Sequence, residues 1–141
     1  MSERNRIVLL IIDDNQVDRH TYRRYLEHAS VEYEVHEAEG ATSGLDLVRQ
    51  LRPNCVLLDL RLNQESGFEI LSELAQPQYE PWLPVIMLTA ASWKPLEEGA
   101  LSLGAYAYLV KGRTDAETLD RTIREAIGNR VKSAPSEWRG V

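Results

Sequence analysis

Asp13, Asp14, Asp59, Thr89 and Lys111 are the side chains of this sequence whose types and spacing could carry out chemistry together. Each stands at the end of a short apolar run: the acidic pair after residues 7–12, Asp59 after 54–58, Thr89 after 85–88 and Lys111 after 105–110. Three carboxylates brought together repel one another, and the usual remedy is a hard divalent cation held through oxygens, with Mg²⁺ keeping several of its waters. A hydroxyl and an ammonium facing them would suit the oxygens of a phosphoryl group, which a metal and a lysine can clamp between them. The chemistry implied is phosphoryl transfer to a carboxylate, with Asp59 as the reacting group.

For these residues to meet, the apolar runs must be parallel strands, because an open parallel sheet collects its functional groups beyond the carboxyl ends of its strands. The sequence alternates such runs with stretches of helical period, the pattern of a βαβ series. Residues 7–12 give the first strand, and Asn15 can cap the helix after it, where Tyr22, Tyr25, Leu26 and Ala29 form a stripe. Arg19, Arg23 and Arg24 fall off that stripe and read as a solvated face, one that a kinase helix bundle could use. Residues 31–38 alternate less cleanly and carry more charge, as an edge strand would.

A second helix over 42–51 places Gly44, Leu47, Val48 and Leu51 on one face, and Pro53 ends it. After Asp59 come a loop, 61–66, and a helix with Gly67, Ile70, Leu71 and Leu74 at helical spacing. Pro77, Pro81 and Pro84 mark another loop, and residues 85–88 are a fourth strand. The fourth helix has Pro95 in its first turn and Gly104 as its stop. A fifth strand over 105–110 and a fifth helix over 116–128, with Leu119, Ile123, Ala126 and Ile127 inward, complete one domain, residues 1–128. Residues 129–141 read as a polar tail or the start of a linker.

At 141 residues and a net charge of -6, the chain has room for one α/β core and lacks the clustered basic surface that direct nucleic-acid binding requires. Cys55 is the single cysteine, which excludes disulfides and cysteine-rich metal sites and fits a reducing, cytoplasmic setting. The run 7–12 is far shorter than the roughly 20 residues that span a bilayer, and no small-residue cleavage site follows it. No membrane association is expected.

With these motifs in place, the sequence resembles the receiver domain of two-component response regulators over about residues 7–128. Asp13 and Asp14 match the acidic pair of that family, Asp59 its phosphoacceptor, Gly67 the glycine opening its third helix, Thr89-Ala90 its switch hydroxyl and small residue, Tyr108 its switch aromatic and Lys111 its lysine. The resemblance implies a flavodoxin-like, doubly wound, five-stranded parallel sheet of order 2-1-3-4-5 with five helices. It implies Mg²⁺ on Asp14, Asp59 and the backbone carbonyl of Arg61, with Asp13 acting through water. It also implies a histidine kinase or histidine phosphotransfer protein as donor, and a downstream effector. The readout is expected on the face of the fourth helix, fifth strand and fifth helix, which could also pair two copies of the chain. A self-phosphorylating and self-dephosphorylating signalling domain of this kind is not a turnover enzyme.

Some positions depart from the family pattern. Gly112 follows Lys111 where proline is usual, which loosens the loop, and Asn63 stands where proline is common. Arg61 and Ala91 flank the acid and the switch hydroxyl, where they are expected to set the lifetime of the acyl phosphate, although Arg61 could instead pair with Glu65. Simpler roles exist for single residues. Asp13 and Asp14 could merely cap the first helix, Tyr106 and Tyr108 could both be packing on one side of a strand, and Trp82 and Trp93 could be loop packing or, for Trp93, part of an output face. His20, His28 and His36 lack metal-ligand spacing and read as surface residues.

Other functions fit the residues less well. A haloacid-dehalogenase-like phosphatase would need Asp-x-Asp after the first strand, and neither Asp13-Asp14 nor Asp59-Leu60-Arg61 has that spacing. A flavodoxin-like nucleotide or flavin binder would need a phosphate loop where Asp13-Asp14-Asn15 would repel phosphate. A degenerate receiver, acting by protein contact without phosphorylation, usually lacks one of the key acids, and all are present here.

Overall fold

A computed structural model describes residues 6–76 and 83–129. The strands β1 (Ile7–Ile12), β2 (Tyr33–Ala38), β3 (Cys55–Leu58), β4 (Val85–Thr89) and β5 (Ala107–Val110) alternate with the helices α1 (Gln16–Ala29), α2 (Ala41–Leu51), α3 (Gly67–Leu74), α4 (Lys94–Ser102) and α5 (Ala116–Asn129). The five strands form one sheet of order β2-β1-β3-β4-β5 with every pairing parallel. This is the doubly wound flavodoxin-like fold expected from the sequence.

Alternation along the strands divides the core between the two faces of the sheet. Leu10, Ile12, Val56, Leu58, Val85 and Met87 point toward α2, α3 and α4, where Val48, Ile70, Leu71, Leu74 and Ala100 meet them. Leu9, Ile11, Cys55, Leu57, Ile86 and Leu88 point the other way, onto Tyr22 and Leu26 of α1 and Leu119, Ile123 and Ala126 of α5. Strands buried on both faces read as unbroken apolar runs, which is why β1, β3 and β4 stand out in the sequence. Cys55 is fully buried, and burial pushes its thiol up to about 12.

The register brings the reactive ends into line. Ile12 pairs with Leu58, Leu58 with Met87 and Thr89 with Val110, so the chain leaves β1, β3, β4 and β5 at one edge. Asn15 caps α1 as expected, its side chain accepting from the Asp18 N–H at 3.0 Å. Residues 61–66 form a tight hairpin, Arg61–Leu62 against Glu65–Ser66, where a plain loop was expected. Asn63 turns it at φ 30°, a conformation asparagine tolerates better than most residues.

The α1 arginines correct the sequence reading. Arg19 is only 8 % exposed; it donates to the Asp13 carbonyl oxygen at 2.7 Å and to Glu37 Oε1 at 2.8 Å. Arg23 bonds the other Glu37 oxygen and the carbonyl of Val35. The edge strand supplies the counter-charge that draws both inward, and Arg24 alone of the three is exposed. Burial would push the Glu37 carboxyl upward, but the two guanidiniums outweigh it and hold it below the usual range. His20 and His28 are exposed, while His36 is half-buried beside Glu34 at 2.6 Å. Pro77, Pro81, Trp82 and the tail from residue 130, with Pro135 and Trp138, lie outside the described residues.

Candidate phosphoacceptor site

Asp59 emerges from β3 with its backbone fixed: its N–H donates to the Ile12 carbonyl at 3.0 Å, and the carbonyl of Leu60 accepts from the Gly67 N–H at 2.7 Å. Asp13 is fixed in the same way by a 3.0 Å bond to the Ala38 carbonyl. Asp13 and Asp59 are buried, at 3 % and 7 % exposure, while Asp14 lies open to solvent. The sequence-predicted acids do converge, with one oxygen from each of Asp13, Asp14 and Asp59 within 4.8 Å of the others. A set of hard carboxylate oxygens at this spacing fits a Mg²⁺-sized cation.

Lys111 reaches into this cluster from the end of β5. Its Nζ donates to Asp13 Oδ2 at 2.7 Å and to Asp59 Oδ2 at 2.8 Å. A third bond, 2.8 Å to Asp18 Oδ2, was not anticipated from the sequence. Asp18 lies in the first turn of α1 and follows no apolar run, so the strand-end pattern that found the other acids passes over it. Burial disfavours the charged ammonium, yet the three carboxylates outweigh that cost and hold its pKa above the ordinary lysine value. Burial likewise raises the Asp13 carboxyl, opposed by Lys111 and by the Asn15 N–H at 2.9 Å.

The loops fix the remaining oxygens. Asp14 Oδ2 accepts from the Asn63 N–H at 2.6 Å, and Asp59 Oδ1 from the Arg61 N–H at a longer 3.3 Å. The Arg61 side chain is exposed, and the expected alternative of pairing with Glu65 is not realised, because Glu65 accepts from the Ala41 N–H at 2.8 Å at the start of α2. Trp93 stands 64 % exposed before α4, on an open groove of about 510 Å³ that Arg61, Asn63, Phe68 and Leu96 also line.

Thr89 is buried at 1 %, and its carbonyl accepts from the Lys111 N–H at 2.9 Å. Its hydroxyl oxygen accepts from the Ala91 N–H at 3.5 Å, while Ala90 is exposed. Tyr108 packs on the α2–α4 side of the sheet and donates its hydroxyl to the Ala91 carbonyl at 2.8 Å. Tyr106 does not share that side: it precedes β5, and its hydroxyl accepts from Asn129 at 3.2 Å. Gly112 takes φ +84° in a turn where the Val110 carbonyl accepts from Arg113 and Thr114. Proline, locked near -65°, cannot adopt that φ, so glycine here meets a conformational requirement.

A buried carboxylate beside a lysine and two further acids, at the carboxyl edge of a 2-1-3-4-5 parallel sheet, defines a receiver-type site. Residues 9–124 match the response regulator receiver domain family, and the chain belongs to it. It is 31 % identical over 121 residues to the polar-differentiation response regulator DivK of Brucella anthropi, covering 86 % of this chain and 96 % of DivK. It is 30 % identical over 129 residues to the transcriptional regulatory protein SrrA of Staphylococcus aureus, covering 92 % of this chain but only 51 % of SrrA. Among solved structures, a CheY-like receiver domain protein from Methanospirillum hungatei superimposes with a TM-score of 0.79 at 26 % identity, covering 92 % of this chain and 99 % of that one. A receiver domain protein from Clostridium thermocellum gives 0.78 at 28 %, covering 88 % and 96 %. Among the described residues no helix is long and apolar enough to cross a membrane.

Proposed function

We propose that this receiver accepts a phosphoryl group on Asp59 from a phosphohistidine of a histidine kinase or phosphotransfer protein and passes the change to a partner through α4, β5 and α5. The observation that supports it most is Lys111 Nζ held at once on Asp13 and Asp59, at 2.7 and 2.8 Å. Asp13, Asp14, Asp59 and the Arg61 carbonyl would hold Mg²⁺, which when bound supplies positive charge for the oxygens of the transferring group. Asp59 Oδ2 is engaged by Lys111, whereas Oδ1 has only the long contact from Arg61 among its described partners, so Oδ1 is the better placed nucleophile. Its attack forms the O–P bond as the N–P bond breaks, and the donor imidazole leaves with the electron pair and is protonated. Lys111 stays beside the new acyl phosphate and offsets its charge.

The readout follows from Ala91, whose N–H faces the Thr89 hydroxyl and whose carbonyl holds Tyr108. Turning Thr89 toward a phosphoryl oxygen frees that N–H and loosens the loop to which Tyr108 is tied, and a local electrostatic change becomes a loop and helix rearrangement. Trp93, Leu101 and Leu103 in and around α4, and Tyr106 before β5, are exposed, apolar surface suited to an effector or to a second copy of the chain. On this reading the domain stores a phosphoryl group and loses it by hydrolysis, without turning over a separate substrate. Incubation with acetyl phosphate and Mg²⁺, followed by intact mass, should add one acid-labile phosphoryl group per chain. No gain in mass, with Mg²⁺ binding shown by titration, would refute the proposal.

A further inference from the structure

An ammonium has three N–H donors, and all three of Lys111 are occupied, by Asp13, Asp18 and Asp59. Once Asp59 Oδ1 carries a phosphoryl group, Oδ2 is a neutral acyl carbonyl, and the phosphoryl oxygens, with roughly one and a half to two negative charges, compete for the ammonium with the carboxylates of Asp13 and Asp18. Asp13 and Asp59 are held by strand backbone bonds, and their side chains are 5 % and 9 % exposed. Asp18 rides on α1 with its side chain 35 % exposed. A solvated, screened pair is worth least, and released Asp18 rehydrates at little cost. Lys111 is not unmoored by the exchange, because its N–H remains on the Thr89 carbonyl at 2.9 Å.

We infer that Asp18 is a displaceable counter-ion of Lys111: a positioning residue that parks the third N–H in the resting state and competes with the phosphoryl group for it. This rests on the reading of Asp59 as phosphoacceptor. Asp18→Asn removes the competing charge and Asp18→Glu keeps it. Each variant is titrated with Mg²⁺ alone and then, in saturating Mg²⁺, with beryllium fluoride as a phosphoryl mimic, with amide chemical shifts as the readout.

Asp18→Asn should bind Mg²⁺ no more tightly than the parent, since it has lost a nearby negative charge, yet bind the mimic about two- to fivefold more tightly. Asp18→Glu should stay within about twofold of the parent for both. Generic damage to the site would weaken both ligands, so opposite signs separate competition from structural loss. Unchanged or weaker binding of the mimic by Asp18→Asn, with the parent binding normally, overturns this role and leaves the phosphoacceptor reading intact. A parent that takes neither the mimic nor a phosphoryl group from acetyl phosphate overturns both.

Discussion

Replacing Gly67 with alanine should separate helix propensity from the steric demands of the site. Gly67 is the first residue of α3 and is absent from the positive-φ glycines, so on propensity alone alanine would gain about 0.5–1 kcal/mol. The structure predicts the opposite. A Cβ built there lies 2.3 Å from the Asp59 carbonyl oxygen, 2.8 Å from Leu60 Cα and 3.1 Å from the Asp59 carbonyl carbon, where ordinary contact begins at 3.4 Å. All three atoms are backbone, at the exit of β3, and the Gly67 N–H to Leu60 bond of 2.7 Å holds the two segments together. Overpacking of this kind costs about 1–3 kcal/mol, and the upper end applies where no side chain can turn aside.

Subtracting the propensity gain leaves a net loss of about 2 kcal/mol for Gly67→Ala, or about 5–12 °C in Tm for a domain of this size. Because relief requires Asp59 itself to move, phosphorylation by acetyl phosphate should slow in the same variant. Thermal and urea unfolding of Gly67→Ala are compared with Gly128→Ala on α5, where an added Cβ meets nothing within 4 Å and stability should be unchanged or slightly higher. A Gly67→Ala protein as stable as the parent and phosphorylated at the same rate would refute the steric reasoning.

Three further substitutions test other parts of the structure. Gly112→Pro forces φ from +84° to near -65° and removes an N–H that faces the Tyr22 hydroxyl; a loss of about 1–3 kcal/mol in urea unfolding is expected, and no loss would show that the turn is not constrained. Glu37→Gln should cost about 1–2 kcal/mol at pH 7. Because the Glu37 pKa is lowered on folding, that contribution is present above the unfolded value of about 4.5 and disappears as pH falls through the folded value. The gap in stability between parent and variant should therefore narrow as pH falls below about 4.5, and a pH-independent gap would refute the assignment. Arg61→Asn removes an exposed side chain beside the acid and should change the dephosphorylation rate at least about twofold by altering the in-line approach of water; an unchanged rate would remove Arg61 from that role.

What could be read from the sequence follows from where each residue sits. Asp13, Asp14, Asp59, Thr89 and Lys111 close apolar strands, and an apolar run ending in a polar residue is visible without any structure. The parallel, two-sided core follows from the same runs, whereas the order of the strands came only from the resemblance to receiver domains. Asp18 was passed over and Arg19 misread as solvated because helical period marks only the apolar stripe, and both are drawn inward by charges elsewhere in the sequence, Lys111 and Glu37. The true partner of Glu65, offered only as one possible ion pair for Arg61, was hidden for a similar reason: the hairpin carries it to the start of α2, 24 residues away. Gly112 could be recognised as a departure from proline, but its positive φ is a property of the turn that only coordinates supply.

The central claim is that the phosphoryl group resides on Asp59, and the most direct test is to trap it there. After incubation with Mg²⁺ and acetyl phosphate, borohydride reduction converts a phosphorylated aspartate to homoserine, which peptide mass spectrometry locates. The account predicts homoserine at position 59 of the parent, dependent on Mg²⁺, and none in Asp59→Asn. Homoserine at Asp13, Asp14 or Asp18 with residue 59 unmodified would contradict it.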